Sequence, residues 1–163
     1  MPDTVAMSNS PFDTRHGWQL YMHPAFKGRY DTLVDSVERL KVADAEGYVS
    51  HPQAKLLKRI NELILDEIPS KPGDPKYRQG KTLGSAYKDW FRAKFFSRFR
   101  LFFRYSTDQR IIIFCWLNDE NTLRQAGSDT DPYAVFAKMI RAGNPPNDWE
   151  ELIKVVVGET KKV

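Results

Sequence analysis

The chain has 163 residues, of which 41% are hydrophobic, and its formal net charge at pH 7 is +4. This length fits a single domain, and the hydrophobic fraction is too high for a disordered chain. No apolar run approaches the roughly 20 residues of a membrane-spanning helix, and the first residues lack the apolar core of a signal peptide. We therefore expect a cytoplasmic protein.

Several kinds of site have no signature in the sequence. The three histidines have no further His, Cys or carboxylate at the spacing of a metal site, and neither a Gly-rich phosphate loop nor a serine nucleophile motif occurs. We therefore predict neither a metal nor a cofactor. Cys115 is the single cysteine and lies in an apolar run, so we expect a buried, inert thiol rather than a reactive one.

The first half of the chain has the pattern of one strand and two helices. Residues 1–15 are polar and aperiodic, which predicts a mobile tail, and residues 17–23 alternate like a short strand. Apolar residues then recur every three or four positions, first after Pro24 and again after Pro52. This is the pattern of two amphipathic helices, which we expect to pair as a hairpin.

The second half begins with a loop over residues 69–84, rich in Pro and Gly, and continues with three strand-like runs over 87–96, 98–106 and 110–117. The last run is apolar on both faces, which predicts a central strand. Asp131 and Pro132 are suited to begin a third helix, and a short last helix follows Pro146.

This order of elements predicts an α+β fold. We expect an antiparallel sheet, with the helical hairpin packed on one face and one or two helices at the C-terminus. The expected domain covers residues 16–151, between the mobile tail 1–15 and a C-terminal tail, 152–163.

The basic residues of the chain are concentrated in one segment. Residues 88–104 carry six basic side chains and one acidic one, a charge of +5, so the rest of the chain sums to −1. Because alternate residues of a strand point to opposite faces, each of the first two strand-like runs has an apolar side and a cationic side. If the register brings the cationic sides together, they form one face with Trp90 and Phe102 among the charges.

A face of this kind suits RNA, since phosphates attract the cations and exposed bases stack on aromatic rings or guanidinium planes. The alternative is an ordinary exposed strand pair, because edge strands often carry Lys and Arg that discourage aggregation. Six cations in 17 residues exceed that need. The pattern therefore favours nucleic-acid binding and leaves catalysis open.

Four segments resemble the YhaV toxin family, which belongs to the RelE-like superfamily. They are KTLGSAYKDWFRAKF (81–95), RFRLFFRYS (98–106), IIIFCWLNDENTLR (111–124) and TDPYAVFAKMIRAGNPPNDWE (130–150). GWQLYMHPAF (17–26) extends the resemblance to roughly residues 16–151.

The resemblance implies a RelE-like fold and the toxin of a PrlF–YhaV-type type II toxin–antitoxin system. Toxins of this family are ribonucleases that cut mRNA, and we expect cleavage during translation on the ribosome. A PrlF-like antitoxin, whose DNA-binding half is of the AbrB swapped-hairpin kind, holds the toxin inactive. Operator DNA would be bound only through this antitoxin.

RelE-like active sites are built from Lys, Arg and sometimes Tyr on the open face of the sheet. The catalytic residues that the resemblance implies are Arg92, Lys94, Arg100 and Arg124. The residues that we expect to bind RNA are Lys88, Trp90, Arg98, Arg104 and Tyr133. For Tyr133, a packing role at the start of a helix is the alternative. The turn at Phe96 lacks the glycine of relatives, which leaves the position of Arg98 open.

The reaction implied is attack of a ribose 2′-OH on the adjacent phosphorus, with Arg92 and Arg100 stabilising the charge that develops. Lys94 serves as the general base if neighbouring cations favour its neutral form. In a second route, the cations stabilise the dianion and proton transfer follows. Two other functions stay possible on the same residues: a ParE-like gyrase poison, and a nucleic-acid-binding module without catalysis.

Overall fold

The computed structural model describes residues 4–6, 9–158 and 160–162. The remaining residues of the two predicted tails lie outside the described residues. The strands are β1 (Thr4–Ala6), β2 (Asp13–Arg15), β3 (Trp18–Met22), β4 (Phe91–Phe95), β5 (Phe99–Ser106), β6 (Ile111–Leu117) and β7 (Thr160–Lys162). The α-helices are α1 (Pro24–Ala43), α2 (Pro52–Glu62), α3 (Ile68–Ser70), α4 (Pro132–Arg141) and α5 (Trp149–Val156).

Five strands form one sheet in the order β2-β3-β6-β5-β4, and β1 pairs separately with β7. The prediction of a central last strand is confirmed, since β6 lies in the middle of the sheet and all its residues are buried. The prediction of an antiparallel sheet is wrong for one pair, because β3 and β6 run parallel. Two parallel neighbouring strands need a long connection between them. Here the connection from β3 to β6 contains the helical hairpin and the β4–β5 hairpin.

The sheet has a hydrophobic core on each side. On one side α1 and α2 supply Phe26 and Ile60 to a core shared with the sheet, and the π-helical turn Leu63–Glu67 after α2 adds Ile64. The two helices are also joined by a hydrogen bond from the Tyr30 hydroxyl to Asn61 Oδ1 at 2.6 Å. The predicted helical hairpin on one face is therefore confirmed, and the α+β class with it.

The opposite side of the sheet is covered by α4 and α5, which the sequence did not place. Phe136 of α4 and Leu152 of α5 are fully buried against Trp90, Phe102 and other residues of this second core. Because α5 crosses residue 151, the packed part of the chain extends beyond the predicted start of the C-terminal tail.

The N-terminal segment also contributes to the sheet. Asp13–Arg15 pairs with β3, and the Asn9 side chain donates a hydrogen bond to the Val156 carbonyl oxygen at 2.9 Å. Part of the segment that the sequence predicted as a tail is thus the edge strand β2. Within the described residues, no helix is long and apolar enough to span a membrane.

Candidate active site

The β4–β5 hairpin brings the two cationic strand sides together, as the alternation predicted. Lys94 lies directly opposite Arg100, and Arg92 lies opposite Phe102 in the antiparallel register. Residues opposite each other in such a pair share one face of the sheet, so Arg92, Lys94 and Arg100 stand on the same face.

The side chain that connects the two arginines is Tyr133, in the first turn of α4. Its phenol oxygen accepts hydrogen bonds from Arg92 Nε at 2.9 Å and from Arg100 Nε at 3.1 Å. Asp131 caps this helix by accepting the backbone N–H of Tyr133, and Pro132 occupies the first turn. The N-terminus of α4 therefore fixes the phenol between the two guanidinium groups.

Backbone carbonyls hold the same arginines from other directions. Arg92 Nη1 donates to the Lys76 carbonyl at 2.8 Å, and Arg100 Nη1 donates to the carbonyls of Ser97 and Phe99 at 3.0 and 2.8 Å. Among the described residues, no Asp or Glu forms an ion pair with either arginine, and the Nη2 atoms have no protein acceptor. Both positive charges are held in place without a carboxylate to neutralise them.

Two polar residues after β6, Asn118 and Asp119, hold the backbone beside this site. Asn118 Oδ1 accepts the backbone N–H of Arg100 at 2.8 Å, and its amide nitrogen donates to the carbonyls of Arg98 and Thr122. Asp119 caps the short 3₁₀ helix Glu120–Thr122. Asn118 is nearly fully buried, and its role as an anchor of β5 was not visible in the sequence.

The face that carries these charges is covered, which corrects the expectation of an open cationic sheet. Arg92, Arg100 and Arg104 retain only 8%, 7% and 7% of their surface because α4 and α5 pack over the strands. Trp90 and Phe102 are fully buried in the second core, so neither ring can stack on a base in this structure.

Arg104 belongs to a different environment from the other two buried arginines. Its guanidinium lies 5.0 Å from the ring of Trp90 and 5.7 Å from that of Trp149, and Nη1 donates to the Asn147 carbonyl at 2.8 Å. Burial lowers the pKa of Arg104 from its ordinary value. These contacts indicate a residue that anchors α5, and the RNA contact that the sequence predicted for Arg104 stays a prediction.

Arg124 joins the cluster, but its charge is compensated. Its guanidinium lies 4.7 Å from the ring centre of Tyr133, and Nη1 donates to Asp131 Oδ1 at 2.8 Å. Asp131 is 3% exposed, so this is a largely buried ion pair. The sequence missed Asp131 as a partner, although its position as the N-cap of α4 was predicted.

The remaining predicted cations are exposed. Lys94 and Arg98 lie on the surface of the hairpin, and Arg98 Nε donates to the Arg124 carbonyl at 3.1 Å. Lys88 is also exposed but lies before β4, because the strand begins at Phe91 and a 3₁₀ helix precedes it. Lys88 therefore does not share the strand face on which the sequence placed it.

This arrangement suits a phosphodiester substrate. Two fixed guanidinium groups, an exposed ammonium group and a phenol can bind a phosphate and stabilise negative charge that develops on its oxygens. Within the described residues, no group of three or more His, Cys, Asp or Glu side chains is placed to hold a metal ion.

The sequence model of a family described as a toxin with endonuclease activity, of a toxin–antitoxin system, matches residues 20–157. The chain therefore belongs to the YhaV toxin family, and it is an endonuclease toxin of a toxin–antitoxin system. The resemblance found in the sequence is confirmed, and the family match extends to the end of α5.

Curated relatives agree with this assignment. The ribonuclease toxin YhaV of Escherichia coli K12 is 50% identical over 141 residues, which cover 85% of this chain and 92% of that protein. The toxin YhaV of E. coli O157:H7 matches over the same shares at the same identity. No solved structure matches the chain, so the RelE-like fold stays a prediction.

Proposed function

We propose that the chain is an endoribonuclease that cleaves mRNA and stops growth until an antitoxin neutralises it. The observation that carries this proposal is the pair Arg92 and Arg100, which Tyr133 holds together without a neutralising carboxylate in a member of an endonuclease toxin family. The name of the K12 relative, a ribonuclease toxin, supports RNA as the substrate.

The reaction that we propose is attack of a ribose 2′-OH on the adjacent phosphorus, which yields a 2′,3′-cyclic phosphate and a free 5′-OH. Arg92 and Arg100 would stabilise the charge on the phosphoryl oxygens through their unengaged Nη2 groups. Because both are already fixed by hydrogen bonds, little reorganisation is needed as this charge develops.

The proton of the 2′-OH must also be removed. Arginine stays protonated and is a poor base, whereas Lys94 is exposed and lies directly opposite Arg100. Lys94 is therefore our candidate for the general base. The alternative route, in which the cations stabilise the dianion and proton transfer follows, needs no base and leaves Lys94 as a binding residue.

The partners that we propose are a PrlF-like antitoxin with an AbrB-type half, mRNA, and the ribosome as the place of cleavage. Operator DNA would be contacted only through the antitoxin. These follow from the family resemblance together with membership of a toxin–antitoxin family. Arg124 completes the proposed catalytic set, although its pairing with Asp131 favours positioning of Tyr133 over direct contact with the phosphate.

The test is cleavage of a translated mRNA by the purified chain, with and without ribosomes, with the new 5′ ends mapped. We expect new ends that disappear with Arg92→Ala and with a 2′-deoxy residue at the cut site, and that persist with the control Arg39→Ala on the exposed surface of α1. Circular dichroism of each variant separates loss of chemistry from loss of folding.

Other outcomes would identify the rival functions. Inhibition of gyrase supercoiling without new RNA ends would indicate a gyrase poison. Tight, salt-sensitive RNA binding without product would indicate a binding module.

A further inference from the structure

A second basic site lies beside Arg92, on the side away from Tyr133. The segment Pro75–Tyr77 and Arg78 run along the edge of the sheet, where Arg78 forms an isolated antiparallel bridge with Phe91. Arg92 ties this segment to β4 by donating to the Lys76 carbonyl at 2.8 Å. A cavity of about 440 Å³ opens between the segment, β4 and the end of the second helix of the hairpin.

The charge of this cavity is strongly positive. Its lining includes the cations Arg59, Lys76, Arg78, Arg92 and Lys94 and a single acid, Glu67, so five minus one gives +4. Glu67 is engaged by Arg59 in a two-point ion pair, and the hydrogen bond from Arg59 lowers the pKa of Glu67. The other four cations form no ion pair with a carboxylate among the described residues. Three of them, Lys76, Arg78 and Lys94, are exposed and available to an anion from outside, whereas Arg92 is largely buried.

Tyr77 has a buried hydroxyl without a partner in the described part of the chain, which is independent evidence that the cavity is a binding site. Its side chain lines the cavity and is 3% exposed, with the Lys76 ammonium 5.2 Å from the ring centre. Its hydroxyl is the one buried side-chain polar atom of the described residues without a hydrogen-bond partner. Burial raises the pKa of Tyr77 to about 12, so the phenol stays protonated and able to donate. Buried polar groups are normally paired, and an anion to which a small shift of Pro75–Tyr77 opens the hydroxyl would supply the missing acceptor.

We propose that this cavity binds a backbone phosphate of the RNA strand that flanks the cleaved linkage. Lys76 and Arg78 are its binding residues, the Tyr77 hydroxyl donates a hydrogen bond to a phosphate oxygen, and Arg92 is shared with the active site. The inference rests on the proposed function. In this arrangement the protein contacts not one phosphate of the RNA but a strand that crosses β4. The protein therefore prefers a single-stranded segment whose flanking phosphate reaches this cavity, and it binds a dinucleotide more weakly.

The experiment measures the affinity of the full chain for a fluorescent single-stranded RNA that carries a 2′-deoxy residue at the cut site. For Lys76→Gln/Arg78→Gln we expect about tenfold weaker binding at low salt and a salt slope smaller by about 0.7 for each phosphate that is no longer neutralised. In cleavage assays the effect appears as a higher KM. The matched control is Arg39→Gln/Lys41→Gln on α1, which removes the same charge from exposed positions and should change the affinity less than twofold.

A scan with neutral methylphosphonate linkages locates the bound phosphate. We expect the difference between the wild type and Lys76→Gln/Arg78→Gln to vanish when one linkage beside the cut site is neutral, and to persist for every other linkage. A difference that is the same for all linkages, or no larger than that of the control, overturns the proposal.

Tyr77→Phe provides a second variant that should fold, because it removes a hydroxyl without a partner. We expect RNA affinity to fall twofold to fivefold while stability is kept or raised; unchanged affinity would remove Tyr77 from the site. Failure of the proposed function gives a different result. If the chain binds RNA but never cuts it, the proposal of a ribonuclease is wrong, and the methylphosphonate scan still tests the flanking phosphate site.

Discussion

The phenol oxygen of Tyr133 lies 2.9 Å from Arg92 Nε and accepts its hydrogen bond. The same oxygen accepts from Arg100 at 3.1 Å, so one atom of α4 joins side chains from β4 and β5. The spacing of the two guanidinium groups therefore depends on how α4 packs on the sheet. A helix that the sequence placed outside the catalytic strands thus controls the geometry of the proposed active site.

Replacing Tyr133 by Phe tests this control. The ring stays in the core while both hydrogen bonds disappear, and a hydrogen bond from a charged donor is worth about 1.5–3 kcal/mol. We expect kcat/KM for RNA cleavage to fall by about ten- to a hundredfold, since the guanidinium groups lose their common acceptor. Urea denaturation should show a loss of stability of about 3–6 kcal/mol.

The control for this variant is Tyr48→Phe, which removes a phenol from a short 3₁₀ helix after α1. Activity of Tyr48→Phe should equal that of the wild type. If Tyr133→Phe also retains full activity, the arginines do not need the phenol, and its contacts serve packing alone.

Asp131 offers a second test, because its carboxylate joins three parts of the site. It accepts from Arg124 Nη1 at 2.8 Å and from the backbone N–H groups of Gln125 and Tyr133 at 2.7 and 3.0 Å. Asp131→Ala removes the cap of α4 and leaves Arg124 without its partner. We expect a loss of about 2–3 kcal/mol in the free energy of unfolding, measured in urea, and a parallel loss of activity.

Arg124→Ala separates the two roles that Arg124 can have. If the residue positions Tyr133, its removal lowers stability by about 2–3 kcal/mol, because the buried Asp131 carboxylate loses its charged partner and keeps only its two backbone donors, and it reduces activity modestly. A loss of activity of a thousandfold or more at unchanged stability would instead return Arg124 to the catalytic residues.

Local patterns predicted the strand pair well. Alternation of cationic and apolar residues depends only on the pleat of a strand, and it placed Arg92, Lys94 and Arg100 on one face. The apolar run at residues 111–117 predicted its own central position for a similar reason, since a strand that is apolar on both faces must be covered on both.

The cover over the cationic face could not be predicted in the same way. The strand pattern does not show that α4 packs on the sheet face that carries Trp90 and Phe102, because this packing depends on contacts between residues far apart in the chain. From the strand pattern alone an arginine is expected to be exposed, because the pattern does not show partners elsewhere in the chain. For Arg104 these partners are Asn147, Trp149 and Trp90, two of which lie over forty positions later in the sequence.

The turn between β4 and β5 carries backbone strain. Phe96 and Ser97 have φ values of 45° and 65°, a region that glycine adopts without the steric penalty of a side chain. Ser97→Gly removes this steric penalty but increases the entropy of the unfolded chain. We expect a net rise in the free energy of unfolding of about 0.5–1 kcal/mol. Urea midpoints measure this, and Ser97→Ala, which keeps a Cβ, should give no gain.

His23 makes the stability of the fold depend on pH. It is 2% exposed, and its Nδ1 caps α1 by accepting the Ala25 N–H at 3.0 Å, which requires the neutral ring. Burial lowers the pKa of His23 from its usual value of 6.5 to about 4. Between these two pH values the unfolded chain binds a proton that the folded chain does not, so stability is complete above pH 6.5 and falls as the pH is lowered toward 4.

The expected contribution of His23 is about 3 kcal/mol over this range, since one pKa unit corresponds to about 1.4 kcal/mol. His23→Asn retains a side-chain oxygen that can cap α1 and removes the titration. Carboxylates titrate equally in both proteins, so the difference between their unfolding free energies isolates the histidine. We expect this difference to shift in favour of the variant by about 3 kcal/mol from about pH 7 to about pH 4. Parallel pH profiles would show that His23 is not held neutral by its burial.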